Sequence, residues 1–362
     1  MRKWKVAVIG CGEFALANYF PNIAKVANAE CVAACDTDPQ RAQQTAERFQ
    51  LPRWYTDIDT LLEQCEFDIL IDAASIPAHH AINMAALQAG RHVITQKPAG
   101  LTVAEIDEQI AAAAASGVLL TSVPIHMIRP DIAMARRMIR DGAIGDVISV
   151  KCTSAHGGPE YFQYRATDPS WFFRQGAGAL YDMGVHALHQ VTGIMGPARR
   201  VGCLATTAIK ERTVRSGTFN GTRIQADELP DNYFITLDFG GGRSGLVDTG
   251  FCYRATKCPP LEIYGTEGVI SFSHPGSTWP NPKLYMDSPE RGVRGWMEPM
   301  EGERRRPAVF NHCSCLTDMI DAIEQKRKPL LSAEHARHVI EIMSVLDAAS
   351  EQGRTVELTT TF

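Results

Sequence analysis

Short apolar runs alternate with helical stretches along the first 125 residues of the chain. KVAVIG, ECVAACD, FDILIDAAS, RHVITQ and VLLTSV read as strands, separated by helices such as Pro39 to Phe49, His80 to Ala89 and Val103 to Ala115. A further helical stretch follows the first strand, through Phe20 to Ala27. Strands that are apolar throughout and alternate with helices predict a parallel sheet covered on both faces. After Met127 the pattern changes. One helix (Asp131 to Asp141) leads into longer β runs, and in NYFITLDFGGGRSGLVDTGF the residues Tyr233, Ile235, Leu237 and Phe239 alternate with Phe234, Thr236 and Asp238. The GGG supplies a hairpin turn, and LEIYGTEGVISFS reads as a second hairpin. Leu316, Met319, Ile320 and Ile323 recur at helical spacing, and Ser332 is placed to cap a last helix running to about Ser350. The expected architecture is α/β. A doubly wound parallel-sheet domain occupies residues 1–125, and an α/β domain with an open, mostly antiparallel sheet occupies 126–362.

A length of 362 residues suits two domains, and 45% hydrophobic with 21% charged residues supports packed cores. The net charge of -5 and the scattered basic clusters argue against nucleic acid as a partner. No apolar run approaches the ~20 residues of a membrane span, and the N-terminus lacks the long apolar core of a signal peptide. The ten cysteines contain no CxxC pair and read as reduced thiols of a cytoplasmic protein.

Gly10-Cys11-Gly12-Glu13-Phe14-Ala15 follows a strand and opens a helix, which is the context a dinucleotide fingerprint requires. Gly10 allows a tight turn, Gly12 lets backbone approach a pyrophosphate, Ala15 permits close helix–strand packing, and the helix start attracts the anion. Asp36 ends the second strand, placed to accept hydrogen bonds from ribose hydroxyls. Its carboxylate favours NAD over NADP. Asp36 as a helix cap in DTDP is the alternative, and Arg41 is the residue that would rescue NADP. A second constellation is GAGALYDMGVHALHQ, where Asp182, His186 and His189 are four and then three residues apart. On a helix that spacing brings them to one face, suited to proton relay, metal binding or mutual satisfaction in a core.

Together GCGEFA, ACDTDPQRA, ASIPAHHAINMAALQAGRHVITQKPAGLT, DPSWFF, GAGALYDMGVHALHQ and LEIYGTEGVISF resemble the Gfo/Idh/MocA family of NAD(P)-dependent oxidoreductases, from Val6 to Val356. The resemblance implies a Rossmann domain, a second domain whose open sheet mediates homodimer or homotetramer contacts, and oxidation of a secondary alcohol on a sugar, glycoside or cyclic polyol without a metal. The family's catalytic lysine, aspartate and histidine carry over onto Lys97, Asp182 and His186. Cofactor contacts carry over onto Gly10, Gly12, Glu13, Phe14, Ala15, Asp36, Ser75, His80, Gln96 and Lys97. His126 and Arg129 follow the last Rossmann strand, where the family often places substrate contacts. His156, Tyr161, Tyr164, Arg165, Trp171 and Phe172, ahead of the stripe, offer an aromatic wall with donors that suits a sugar ring, and His189, whose position often carries another polar residue in the family, is a further substrate-contact candidate. The family's usual Glu-Lys-Pro is here Gln96-Lys97-Pro98, which removes a negative charge beside the lysine. Two other functions remain open on the sequence. One is a redox-neutral, NAD-using glycosidase or epimerase acting through transient oxidation; the other is a non-enzymatic NAD or sugar sensor.

Overall fold

The structure is a computed structural model that describes residues 2–162, 167–272, 282–297 and 310–362. The chain resolves into two compact units, Met1–Ile128 with Pro307–Ile340, and Arg129–Arg306 with Glu341–Phe362. The first unit therefore draws on a late stretch of the chain as well as on its start.

In the first unit the chain runs β1 (Trp4–Ile9), α1 (Glu13–Asn18), α2 (Phe20–Ile23), β2 (Ala29–Cys35), α3 (Pro39–Phe49), β3 (Arg53–Tyr55), α4 (Ile58–Gln64), β4 (Ile69–Asp72), α5 (His79–Gln88), β5 (His92–Thr95), α6 (Val103–Ser116) and β6 (Leu120–Ser122). The sheet order is β3-β2-β1-β4-β5-β6 and every pairing is parallel. This is the doubly wound order, in which the strands on either side of β1 leave it in opposite directions and open a crevice at their carboxyl ends. The apolar stretches in β1 and β4 are buried because helices cover both faces. The helical stretch after the glycine loop differs from its expected extent. It breaks into α1 and α2 and ends at Ile23, with Pro21 in the first turn of α2. Proline has no N–H to continue the ladder from α1.

The second unit contains α7 (Pro130–Arg140), β7 (Val147–Ala155), α8 (Pro159–Phe162), α9 (Val185–Met195), β8 (Arg200–Thr206), β9 (Glu211–Thr213), β10 (Arg223–Gln225), β11 (Asn232–Gly240), β12 (Arg243–Gly250), β13 (Leu261–Gly265), β14 (Gly268–Phe272), β15 (Pro282–Ser288) and β16 (Val293–Met297). Helix α10 (Ser314–Glu324) lies in the first unit, α11 (Ala333–Gln352) begins there, and β17 (Val356–Glu357) returns to the second. The large sheet has the order β16-β15-β14-β13-β7-β12-β11-β8-β17. Its strands pair antiparallel except for β7 with β12. The alternation in β11 is visible in its burial: Tyr233, Ile235, Leu237 and Phe239 point into the core, while Phe234 is exposed. All three glycines of the 240–242 turn have positive φ, a region open to glycine at little cost.

The Ser332 hydroxyl accepts the His335 N–H at 3.2 Å and so caps α11, as its sequence position predicts. Further along α11, Glu341 fastens the C-terminal segment. Its carboxylate accepts the Thr359 and Thr360 N–H groups at 2.8 and 2.9 Å and both threonine hydroxyls. Burial alone would raise this carboxyl, but the four donors outweigh it and hold the pKa below its ordinary value of 4.5. Its contribution to stability is thus present above the unfolded pKa and is lost as pH falls through the folded one. Glu341→Ala is expected to destabilise the second unit by about 3 kcal/mol at pH 7. Denaturant titrations of variant and parent should converge below pH 4.5, the ordinary value for this carboxyl.

Candidate active site

Gly10 ends β1 with φ +92°, and a Cβ there would lie 2.4 Å from the Ala73 carbonyl oxygen, so no other residue fits without backbone movement. Gly12 is the reverse case. A Cβ there would meet nothing within 4 Å, which leaves the outer side of the loop open for close approach by a ligand. Asp36 Oδ2 accepts the Cys11 N–H at 2.8 Å and Oδ1 accepts the Asp38 N–H at 2.9 Å. The cap of α3 is Asp38, which accepts the Gln40 and Arg41 N–H groups. This leaves Asp36 to tie the second strand to the glycine loop. The Arg41 guanidinium sits 3.4 Å from Asp36 and 3.2 Å from Asp38. Ala15 is buried beneath the loop and Glu13 is exposed. Phe14 is half-buried, edge-on to Tyr19 and His312 with ring centroids 5.8 and 4.9 Å away. Burial pushes the Cys11 thiol up to about 11, so the cysteine within the loop is held as a neutral thiol.

A buried polar network lies at the ends of β4 and β5. Asp72 Oδ2 meets His79 Nδ1 at 2.6 Å, and its Oδ1 accepts the Ala74 N–H at 3.0 Å. Both side chains are essentially inaccessible, so the pair fixes the 73–79 segment that closes against Gly10. His80, the histidine aligned with the family motif in the sequence, lies half-buried against Glu108 at 2.9 Å. The sequence reading passed over His79 and Asp72. The available signal was an acid ending an apolar strand seven residues before a double histidine. Ser75 is exposed at the start of the 3-10 turn Ile76–Ala78. The Gln96 amide donates to the hydroxyl of fully buried Tyr19. An uncharged side chain there satisfies the phenol without burying a carboxylate. Burial, with Cys315 and Cys313 nearby, keeps that phenol well above its usual range and protonated. Half-buried Lys97 follows. His126 lies half-buried in the turn Ile125–Ile128 of the same unit.

In the second unit, Asp182 does not begin on a regular α-helix. Residues Leu180–Gly184 form one wide π turn that runs into α9. Such turns rotate side chains out of α register and recur at functional sites. Gly184 has a steric reason to be glycine, because a Cβ there would lie 2.8 Å from Leu180 Cδ1 and 3.2 Å from Thr249 Cγ2. The turn is also tied to the sheet: Ser154 Oγ donates to the Met183 carbonyl at 3.0 Å, and Thr249 Oγ1 donates to the Ser154 carbonyl at 2.6 Å. Asp182 and His186 are half-buried, whereas His189 is only 5% exposed and faces the core.

The side chain opposite Asp182 is His156, just past the end of β7. The Gly158 N–H donates to His156 Nδ1 at 3.0 Å. In the neutral ring the proton is therefore assigned to Nε2, which lies 3.9 Å from Asp182 Oδ2. The ring stacks on Phe251 with centroids 5.0 Å apart, and the Phe162 ring lies edge-on at 5.6 Å. Trp171 stacks on Phe172 at 3.8 Å and remains 39% exposed. Arg129 pairs with buried Asp131, its Nε 3.0 Å from Oδ1. Tyr164 and Arg165, both expected in the substrate pocket, lie outside the described residues.

Among the described residues, no three His, Cys, Asp or Glu side chains gather closely enough to hold a metal ion, and no helix is long and apolar enough to cross a membrane. All ten cysteines are thiols.

Two family models match the chain: an oxidoreductase-family NAD-binding Rossmann fold over residues 4–123 and a GFO/IDH/MocA C-terminal domain over 132–271. The chain is 27% identical to levoglucosan dehydrogenase of Pseudarthrobacter phenanthrenivorans over 66% of its length and 64% of that protein, a little under two thirds of the relative. It is 28% identical to D-apiose dehydrogenase of Paraburkholderia graminis over 75% of its length and 68% of that protein. A levoglucosan dehydrogenase solved with NADH and levoglucosan superposes with a TM-score of 0.82 at 21% identity, covering 99% of this chain and 100% of that one, which is a likeness of fold. With matches that take in both the Rossmann unit and the domain that follows it, the chain belongs to the GFO/IDH/MocA family of oxidoreductases.

Proposed function

We propose that the protein is an NAD-dependent dehydrogenase acting on a secondary alcohol of a sugar, glycoside or cyclic polyol. The observation that carries this reading is the wide turn that presents Asp182 to His156 immediately ahead of His186. The sugar dehydrogenases among the relatives support the substrate class. NAD, when bound, accepts the hydride lost by the carbinol carbon. Gly10 and Gly12 give its phosphates a close-packed loop that is open on one side, and Asp36 takes the ribose hydroxyls. Lys97 donates a hydrogen bond to the alcohol oxygen and stabilises the developing alkoxide. His186 takes the alcohol proton. Asp182 orients the imidazole or a neighbouring substrate hydroxyl, and His156 holds Asp182 in place.

The test is absorbance at 340 nm while sugars, inositols and glycosides are offered with NAD. Steady NADH formation supports the reading, and no turnover of any member of the panel counts against it. Asp36→Ala is expected to cut the kcat/KM preference for NAD over NADP by roughly tenfold or more. A preference that survives the substitution would contradict the role given to Asp36. His156→Phe keeps the stack on Phe251 and removes Nε2. It is expected to lower kcat/KM by about tenfold through loss of the group that faces Asp182, with a small drop in melting temperature because the Gly158 N–H loses its acceptor. Unchanged kinetics would reduce His156 to packing.

Oligomerisation through the open face of the large sheet belongs to the same proposal. Leu204, Phe234 and Trp296 are exposed on its strands, and light scattering should return a dimer or tetramer.

A further inference from the structure

We propose that the carbohydrate carries an oxyanion, a carboxylate or phosphate, which Arg215 and Arg254 bind together at the Tyr161 ring; the inference rests on the reading already given to Asp182. The guanidinium carbons of Arg215 and Arg254 each lie 5.0 Å from the centre of the Tyr161 ring. Both side chains are exposed, and neither guanidinium comes within 4.0 Å of a carboxylate among the described residues. In a chain of net charge -5, these are two uncompensated cations on one aromatic ring. Guanidinium forks match carboxylate and phosphate oxygens in a bidentate geometry.

Two segments converge on the stretch from His156 to Tyr161 to make this cluster, and each is bonded to it. The Arg215 N–H donates to the Glu160 carbonyl at 3.1 Å, and the Tyr253 N–H, one residue before Arg254, donates to the His156 carbonyl at 3.1 Å. The Tyr161 ring is seated over Gly157, where a Cβ would lie 2.8 Å from Tyr161 Cδ1. Beneath them, buried Arg212 bonds Glu160 and Asp231 at 2.7 Å each and anchors β9, the strand that precedes Arg215. Aromatic rings step from one site to the other. His156 meets Phe162 at 5.6 Å, Phe162 meets Tyr161 at 4.8 Å, and Tyr161 meets the two guanidinium groups. A sugar ring stacks its apolar face on such a wall. The ring contacts thus place the two arginines and Asp182 along one aromatic wall.

The experiment compares matched substrates, namely glucose, glucuronate and glucose 6-phosphate, with their methyl glycosides. An anionic member is expected to exceed its neutral counterpart in kcat/KM by roughly tenfold, mainly through KM. The double variant Arg215→Gln/Arg254→Gln is expected to lose that preference, and Arg254→Lys to keep part of it. Whether the uronate or the phosphate gains more identifies the source of the oxyanion. Calorimetric titration of glucuronate and glucose 6-phosphate into the NAD-supplied protein supplies a readout free of turnover. Binding that weakens tenfold in the double variant, with no NADH formed, would keep the anion site and reject the dehydrogenase reading. Equal use of neutral and anionic members, or a preference that survives both substitutions, would overturn the proposal.

Discussion

Replacing Lys97 by alanine is expected to lower kcat by about 10²–10³-fold, the range lost with a donor that stabilises a developing oxyanion, while the protein still folds and binds NAD. Hydride departure from a carbinol carbon requires the hydroxyl to give up its proton, and the alkoxide that develops is costly without a donor at the oxygen. An ammonium fixed at that oxygen strengthens as charge appears there, so its loss falls on kcat and not on KM. Cofactor binding should persist because Gly10, Gly12 and Asp36 are all retained. Lys97→Arg keeps the charge but offers a planar fork in place of a compact ammonium, so little activity should return. Steady-state NADH formation at saturating substrate measures the effect. Retention of more than about a tenth of the parent rate, well short of the loss such donors produce, would remove Lys97 from the catalytic set.

Arg212→Met should cost the second unit about 3–5 kcal/mol, the range seen when one partner of a buried ion pair is removed. Arg212 is nearly inaccessible, as are Glu160 and Asp231, and its guanidinium also donates to the Phe251 carbonyl at 3.1 Å. Burial works to lower the Arg212 pKa, but the two carboxylates outweigh it and hold the guanidinium charged above its ordinary range. Removing it would leave two carboxylates facing one another away from water. Methionine fills most of the volume, so the loss is one of charge compensation more than of packing. Companion substitutions separate the two. Arg212→Met/Glu160→Gln/Asp231→Asn removes the uncompensated charges and leaves the packing change in place. A melting difference of roughly 10 °C for Arg212→Met that the triple variant largely recovers is the expected result. No recovery would mean that packing, not charge, dominates.

The parts of the fold legible in the sequence are those specified by near neighbours. The turn at Gly10 and the close packing at Ala15 are legible because both are local demands, and the alternation from Tyr233 to Phe239 marks a half-buried strand directly. Asp36 was ambiguous with Asp38 until tertiary contacts divided the work, giving the helix cap to Asp38 and the loop to Asp36. The His79–Asp72 pair, the Gln96–Tyr19 bond and the parallel pairing of β7 with β12 join residues brought together by the fold, and no periodicity encodes them. The stripe of Asp182, His186 and His189 illustrates the same limit. Its spacing assumes one regular helix, but a π turn carries Asp182 and shifts its register relative to His186 and His189, which lie together on α9.

The most direct test of the account offers a substrate deuterated at the reacting carbon and follows the label by mass spectrometry of the cofactor. The account predicts stoichiometric formation of reduced NAD carrying the deuterium, with the ketone as product. Product released with NAD returned oxidised and the label back in the sugar or lost to water would contradict it, and would identify a redox-neutral enzyme.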